Sequence, residues 1–197
     1  MKLAYASGED IRLYRIINED RNDYETLRRQ LADSQVYYDD REIADALWDN
    51  VLNGKDETYV IRDIADNFCG VIILQNPIDE TPEIGIDLLK IHRNRGIASN
   101  AVKLLVKNEQ KKCKKKYYLI RISSKNSHSR HVFEKMGAVL IGEEENMYKA
   151  LLEKLQSIHD TLAEEEVKAT AQNLISLYEE KADDVIYRYK LMPEAIL

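Results

Sequence analysis

Residues 92–102 read HRNRGIASNAV. Two arginines, a glycine and an alanine fall between Arg93 and Ala98, after one apolar run and before another. The stretch has two readings, a turn that is basic by chance or a seat for a phosphate. The run before it, EIGIDLL at 83–89, has the composition of a strand. Residues 96–111 carry Ile97, Val102, Leu105 and Val106 on one helical face. A strand that passes straight into a helix leaves free backbone N–H groups at the helix start, where the positive end of the helix dipole lies. Gly96 has no Cβ to hold a ligand away from the backbone. Ala98 keeps the first helical turn small, and Arg93 and Arg95 add charge. Such a turn suits a pyrophosphate.

Outward from this stretch the pattern alternates between strands and helices. IRLYRII at 11–17 reads as a strand. Helices follow at 20–31, with Tyr24, Leu27 and Leu31 inward, and at 40–52, with Ile43, Leu47 and Val51 inward and Asn53-Gly54 as the stop. Runs at 58–65 and 68–74 flank Asp66-Asn67 and read as a hairpin. Beyond the helix at 96–111 come a strand at 117–123, a helix at 127–136 closed by Gly137, a short strand at 138–142 and a last strand at 185–192. Between 143 and 184 two helical stripes appear. One is Met147, Leu151, Leu155, Ile158 and Leu162; the other is Val167, Ala171, Leu174 and Tyr178. They are out of register, so the segment reads as a helical hairpin, with Thr161 and Glu164 as a capping box opening the second helix. The expectation is an α/β (α+β) fold: a mixed, mostly antiparallel sheet with flanking helices and a helical hairpin inserted before the last strand. Residues 1–197 are read as a single domain, with 143–184 as an insertion.

Composition narrows the function. A formal net charge of -6 argues against a general nucleic-acid binder, which must neutralise phosphates. No apolar run approaches the ~20 residues of a membrane span, and the N-terminus has no signal-peptide pattern, so a cytoplasmic setting is the default. Cys69 and Cys113 form no CxxC and no His/Cys cluster, which indicates neither a disulfide framework nor a metal site. There is no GxxxxGK[ST] and no GxGxxG after the first strand, which sets aside P-loop and dinucleotide sites. The lysine-rich KNEQKKCKKKYY at 107–118 reads as a solvated helix end complementing the dipole.

Arg93-Asn94-Arg95-Gly96-Ile97-Ala98 resembles the acyl-CoA pyrophosphate loop of the GNAT N-acetyltransferase superfamily. IRLYRIINED resembles the opening strand of the branch containing ribosomal-protein N-terminal acetyltransferases and spermidine acetyltransferases. Glu83-Ile84-Gly85-Ile86 resembles its fourth strand, and the run from Asn126 through Ser129, Val132, Glu134 and Lys135 to Gly137 is similar to its second CoA-side motif. The resemblance covers the chain apart from 143–184.

It implies transfer of an acetyl group from acetyl-CoA, with no metal, to a small-molecule or peptide primary amine. Glu83 would be the base, directly or through water. A backbone N–H near Leu88 or Leu89 would stabilise the oxyanion while the pantetheine arm pairs along the splayed strand. Asn126 would bond the CoA arm. Many relatives have a tyrosine acid where Phe133 stands here, so Ser129 is the nearest substitute as thiol-side acid. The alternatives stay beside these roles: Glu83 as an inert strand-start carboxylate, and Ser129 and Asn126 as helix caps. In such a fold the first two helices wall the acceptor side. Here they carry Asp39, Asp40, Glu42, Asp45 and Asp49 among Tyr37, Tyr38 and Trp48, a mixture that suits a cationic amine or a solvated acidic helix. Phe133 and Ala138 also leave room for a non-enzymatic acyl-CoA-binding or interaction module. The hairpin would pack on itself, cover the cleft or form a homodimer seam. No nucleic-acid or membrane partner is expected.

Overall fold

A computed structural model describes residues 3–31 and 35–196. Its strands are β1 (Ala6–Ser7), β2 (Ile11–Arg15), β3 (Glu57–Asp63), β4 (Phe68–Gln75), β5 (Glu83–Leu88), β6 (Tyr118–Ser123), β7 (Val139–Glu145) and β8 (Val185–Leu191). Its helices are α1 (Arg21–Arg29), α2 (Gln35–Asp39), α3 (Arg41–Asn53), α4 (Ile97–Lys112), α5 (Ser127–Lys135), α6 (Met147–His159) and α7 (Glu165–Ala182). The strands form one sheet in the order β1-β2-β3-β4-β5-β6-β8-β7. Neighbours from β1 to β5 are antiparallel, and β5 and β6 are parallel. The mixed, mostly antiparallel sheet and the helical hairpin before the last strand are as the sequence predicts.

The chain divides into two compact units. The first comprises Met1–Ile120, Val132–Val139 and Lys190–Leu197. One of its cores joins Tyr24 and Leu27 of α1, Tyr38, and Ala44 and Trp48 of α3 to Ile16, Val60, Phe68 and Val71. The buried stripe of α3 is Ala44 and Trp48, one residue on from the expected Ile43 and Leu47, which are exposed. Trp48 sets this phase. Its ring packs 5.5 Å from Tyr24 and its Nε1 donates to Asn18 Oδ1 at 3.2 Å; the indole outweighs the smaller Ile and Leu in buried area. On α4, Ala101, Val102, Leu105 and Val106 are buried, and the expected Ile97 is half-buried.

The second unit comprises Arg121–His131 and Leu140–Tyr189. Here α6 and α7 pack on each other, with the Tyr148 and Tyr178 rings 5.2 Å apart. On α7, Ala171, Ile175 and Tyr178 are buried, whereas the expected Val167 is exposed. The second helix opens at Glu165, not at Thr161, whose hydroxyl instead donates to the Ile158 carbonyl at 2.6 Å. Glu164 is the N-cap of α7, and no side chain caps the helix. Asn146 opens the hairpin, its Oδ1 accepting from Tyr148 N at 3.0 Å, and its Nδ2 donates to the Lys181 carbonyl at 3.3 Å near the hairpin's end.

Candidate active site

Strand β5 is the spine of the site. Its register with β4 runs from Gln75↔Glu83 to Gly70↔Leu88. Leu89 N donates to Cys69 O at 3.0 Å, which makes that the hydrogen-bonded pair next along the ladder. Bonded and non-bonded pairs alternate in an antiparallel ladder. Glu83, Gly85 and Asp87 therefore exchange bonds with β4, and Ile84, Ile86 and Leu88 turn their main-chain groups to the opposite edge. On that edge β6 pairs with β5 at Glu83↔Leu119, with Leu119 N donating to Pro82 O at 2.9 Å. This pair lies at the first residue of β5. By that alternation the N–H and C=O of Ile86 and the N–H of Leu88 face the same edge, while the Leu88 carbonyl accepts from Arg93 Nε at 3.1 Å. Of the two expected oxyanion donors, Leu89 has its N–H committed to Cys69.

Gly70 lets the two strands close up at this end. A Cβ there would lie 2.1 Å from Asp87 O, a distance no side chain can occupy. On the face opposite the buried Ile84 and Leu88 lie Glu83, Gly85 and Asp87, all half-buried. Arg28 of α1 meets Asp87 at 2.9 Å.

The loop after β5 makes one 3-10 turn at Lys90–His92 and then enters α4 through Asn94 at φ 62° and Gly96 at φ 75°. Gly96 is the N-cap and offers no side-chain cap. The first intrahelical bond is Asn100 N to Gly96 O at 3.0 Å, so the amides of Ile97, Ala98 and Ser99 precede the ladder. A Cβ on Gly96 would meet nothing within 4 Å. The glycine is therefore required by its left-handed backbone, and the space before the amides is open. Arg93, Asn94 and Arg95 are exposed beside it, and Ile97 and Ala98 are half-buried.

Asn126 and Ser129 lie in the second unit. Asn126 Oδ1 accepts from Ser129 N at 3.1 Å, so the asparagine caps α5. Phe133 and Ala138 are buried.

On the helical wall four of the five carboxylates are engaged. Asp39 pairs with Arg29 and Asp45 with Arg21 and Arg41. Asp40 caps α3 by accepting from Glu42 N and Ile43 N. Asp49 accepts from Asn53 Nδ2 at 2.8 Å. Tyr38 and Trp48 are core residues and Tyr37 packs against them. Glu42 is exposed.

Residues 4–139 match the sequence model of the acetyltransferase (GNAT) domain. The chain belongs to the GNAT acetyltransferase family. No curated protein matches it. Among solved structures, spermidine N-acetyltransferase SpeG of Vibrio cholerae in complex with CoA and spermine has 12% identity and a TM-score of 0.65, over 94% of this chain and 97% of that one. A chimera of that enzyme with hSSAT has 13% identity and a TM-score of 0.66, over 95% and 98% of the two chains. A dodecameric structure of the V. cholerae enzyme has 13% identity and a TM-score of 0.65, over 95% and 96%.

As a GNAT protein the chain is an acetyl-CoA-dependent N-acetyltransferase. The residues that could hold the cosubstrate are at Gly96, where three uncapped amides stand behind an open approach, and along the edge of β5 to which Ile86 and Leu88 turn their main-chain groups. Among the described residues no group of three His, Cys, Asp or Glu is placed to hold a metal ion, and no helix is long and apolar enough to cross a membrane. Sequence reading missed Ile86, Asp87 and Arg28. Ile86 was recoverable from strand alternation once its pairing partner was known. The Arg28–Asp87 pair, 59 residues apart, has no local signal.

Proposed function

We propose that this acetyltransferase acts on a primary amine of a cationic acceptor, a polyamine-like molecule or a protein N-terminus, with Glu83 as the base. The observation that carries the reading is the continuity of β5. A carboxylate stands at its start and an uncapped helix N-terminus follows its end, with the main-chain groups of Ile86 and Leu88 turned to one edge between them. Arg93, Asn94, Arg95, Gly96, Ile97 and Ala98 hold the pyrophosphate, mainly through main-chain N–H groups. The pantetheine arm runs along that edge, and the N–H of Ile86 or Leu88 receives the developing oxyanion. Bound acetyl-CoA supplies an activated thioester.

Glu83 Cα lies roughly 10 Å along the strand from Ile86 Cα. The amine's proton passes to Glu83 directly or through water. The amine nitrogen then bonds to the acetyl carbon, the carbon–sulfur bond breaks, and Ser129 is the proposed proton donor to the leaving thiolate. Asn126 presents its remaining donors to the CoA arm. Charge supports a cationic acceptor. Residues 18–54, which include α1–α3, carry ten carboxylates and four arginines, so the whole net charge of -6 is concentrated there. Fixed negative potential of this kind raises the local concentration of cations. The acyltransferase domain is taken to span residues 1–197, with 143–184 as an insertion and a second copy of the chain as partner.

Thiol release with acetyl-CoA is measured across a panel of diamines, triamines and N-terminal peptides. Turnover with the cationic members is expected, with Glu83→Gln slower by roughly a hundredfold. Unchanged turnover in Glu83→Gln removes Glu83 from the mechanism. Buried Phe133, which offers no proton at the usual acid position, favours a second reading as an acyl-CoA-binding module. CoA binding by calorimetry with no turnover on any amine would establish that one instead.

A further inference from the structure

Lys115 lies in the lysine-rich run at 107–118, yet it is only 7% exposed. Its Nζ donates to the carbonyls of Pro77 at 2.5 Å and Asp79 at 3.0 Å. Both acceptors belong to the loop at 76–82 that connects β4 to β5 and ends at Glu83. Neighbours of Lys115 take up the rest of the same loop. Lys116 N donates to Glu80 O at 2.8 Å, Lys116 Nζ pairs with Glu80, and Leu119 N donates to Pro82 O at 2.9 Å. Successive loop carbonyls at 77, 79, 80 and 82 are thus received by residues 115–119. Elsewhere the loop is held by Asn76 N donating to Asp56 Oδ1 at 3.0 Å, by Asp79 N donating to Asn76 O at 3.0 Å and by the buried Pro82. Ile78, its one large apolar side chain, is 91% exposed, and Asp79 and Glu80 are exposed as well. Ahead of Pro82 apolar burial orders little of this segment, so the backbone placement of residues 77–80 depends on polar bonds. Of these the Lys115 pair is charge-assisted and shielded from water, which makes it the strongest. A buried ammonium is itself tolerated only where its donors are met.

We propose that Lys115 is a positioning residue for Glu83. By fixing the carbonyls of Pro77 and Asp79 it sets where the chain enters β5, and so the distance from the Glu83 carboxylate to the acceptor amine. The proposal rests on Glu83 being the base. A proton relay is sensitive to displacements of about 1 Å, which cost up to roughly a hundredfold in rate. The pyrophosphate seat lies at the other end of β5 and is held by other bonds, so acetyl-CoA binding should not feel the change.

The test is a double-mutant cycle on thiol release, with kcat and both KM values measured for Lys115→Met, Lys115→Arg, Glu83→Gln and Lys115→Met/Glu83→Gln. Lys115→Met keeps the length of the side chain and removes its donors. Its kcat should fall by at least roughly tenfold while KM for acetyl-CoA stays within about twofold, and Lys115→Arg should recover most of the loss. In the Glu83→Gln background, Lys115→Met should add little. A merely structural role would instead lower both backgrounds equally, and that result, or a wild-type kcat in folded Lys115→Met, overturns the proposal. If Glu83→Gln alone turns over normally, the base assignment fails first and the positioning role falls with it. Should Lys115→Met not fold, Lys115→Gln, which keeps one donor group, takes its place under the same criteria.

Discussion

At Gly96 a single backbone angle decides whether α4 can present its first amides. The φ of 75° is left-handed, and any residue with a Cβ is strained there even though space is open around it. Gly96→Ala should therefore lower stability by about 1 kcal/mol in thermal unfolding, without a steric clash. It should also weaken CoA binding by several-fold in calorimetry, because relief of the strain turns the amides of Ile97 and Ala98 away. Binding unchanged from wild type would show that the amides are not the seat. The turn into α4 was legible in the sequence because Arg93, Gly96 and Ala98 fall within six residues and their spacing is local. Arg28 and Asp87 were not, because nothing near either residue signals a partner 59 residues away. Lys115 was misread with its neighbours as solvated, since a run of like residues gives no sign of which member turns inward.

Among the elements, α3 shows how a helix can be recognised while its face is not. Period and caps place it within a residue or two, but Ile43, Leu47 and Val51 compete with Ala44 and Trp48 for the core. One residue of phase rotates the buried face by about 100°. Strand β6 is instead tied at its end by charge. Within the second unit the hydroxyls of Ser123 and Ser124 donate to Asp184, the latter at 2.7 Å, just before β8 begins. Burial pushes the Asp184 carboxyl up, but the two hydroxyls and the nearby Lys125 outweigh it and hold the carboxyl below the usual range. A carboxyl depressed in the folded state contributes stability above its unfolded value near about 4 and loses it as pH falls through the folded value. Wild-type melting temperature should therefore drop more steeply below about pH 4 than that of Asp184→Asn, which lacks this ionisation and should be less stable at pH 7. Parallel melting curves across acid pH would remove Asp184 from the acid response.

For the whole molecule, self-association turns on exposed apolar surface. Two surfaces are available to a second copy. The hairpin leaves Met147, Ile158 and Val167 exposed, and β7, at the end of the strand order, exposes Val139, Leu140 and Ile141 in succession. Exposed apolar edge strands invite pairing with another chain. Replacing residues 147–181 with a short Gly/Ser link and measuring solution mass separates the two. A fall to monomer mass is expected if the hairpin holds the dimer, and an unchanged multimer assigns the contact to β7. The fold class was legible in the order of elements along the chain, because α4 and β5 have strong local patterns, whereas the spatial order of the strands and the short β1 were not. How α6 and α7 divide their apolar residues between packing and exposure depends on neighbours that no period encodes.

Asn146 gives the hairpin a property that its length would not suggest. One side chain starts α6 and reaches the carbonyl of Lys181, so 35 positions of chain leave and return at nearly one point. An excursion with coincident ends puts no tension on the strands beside it. It behaves as a cassette: a lineage could lengthen it, shorten it or exchange it for another module without altering the register of β7 or β8. An engineer could use the same junction to graft a reporter there.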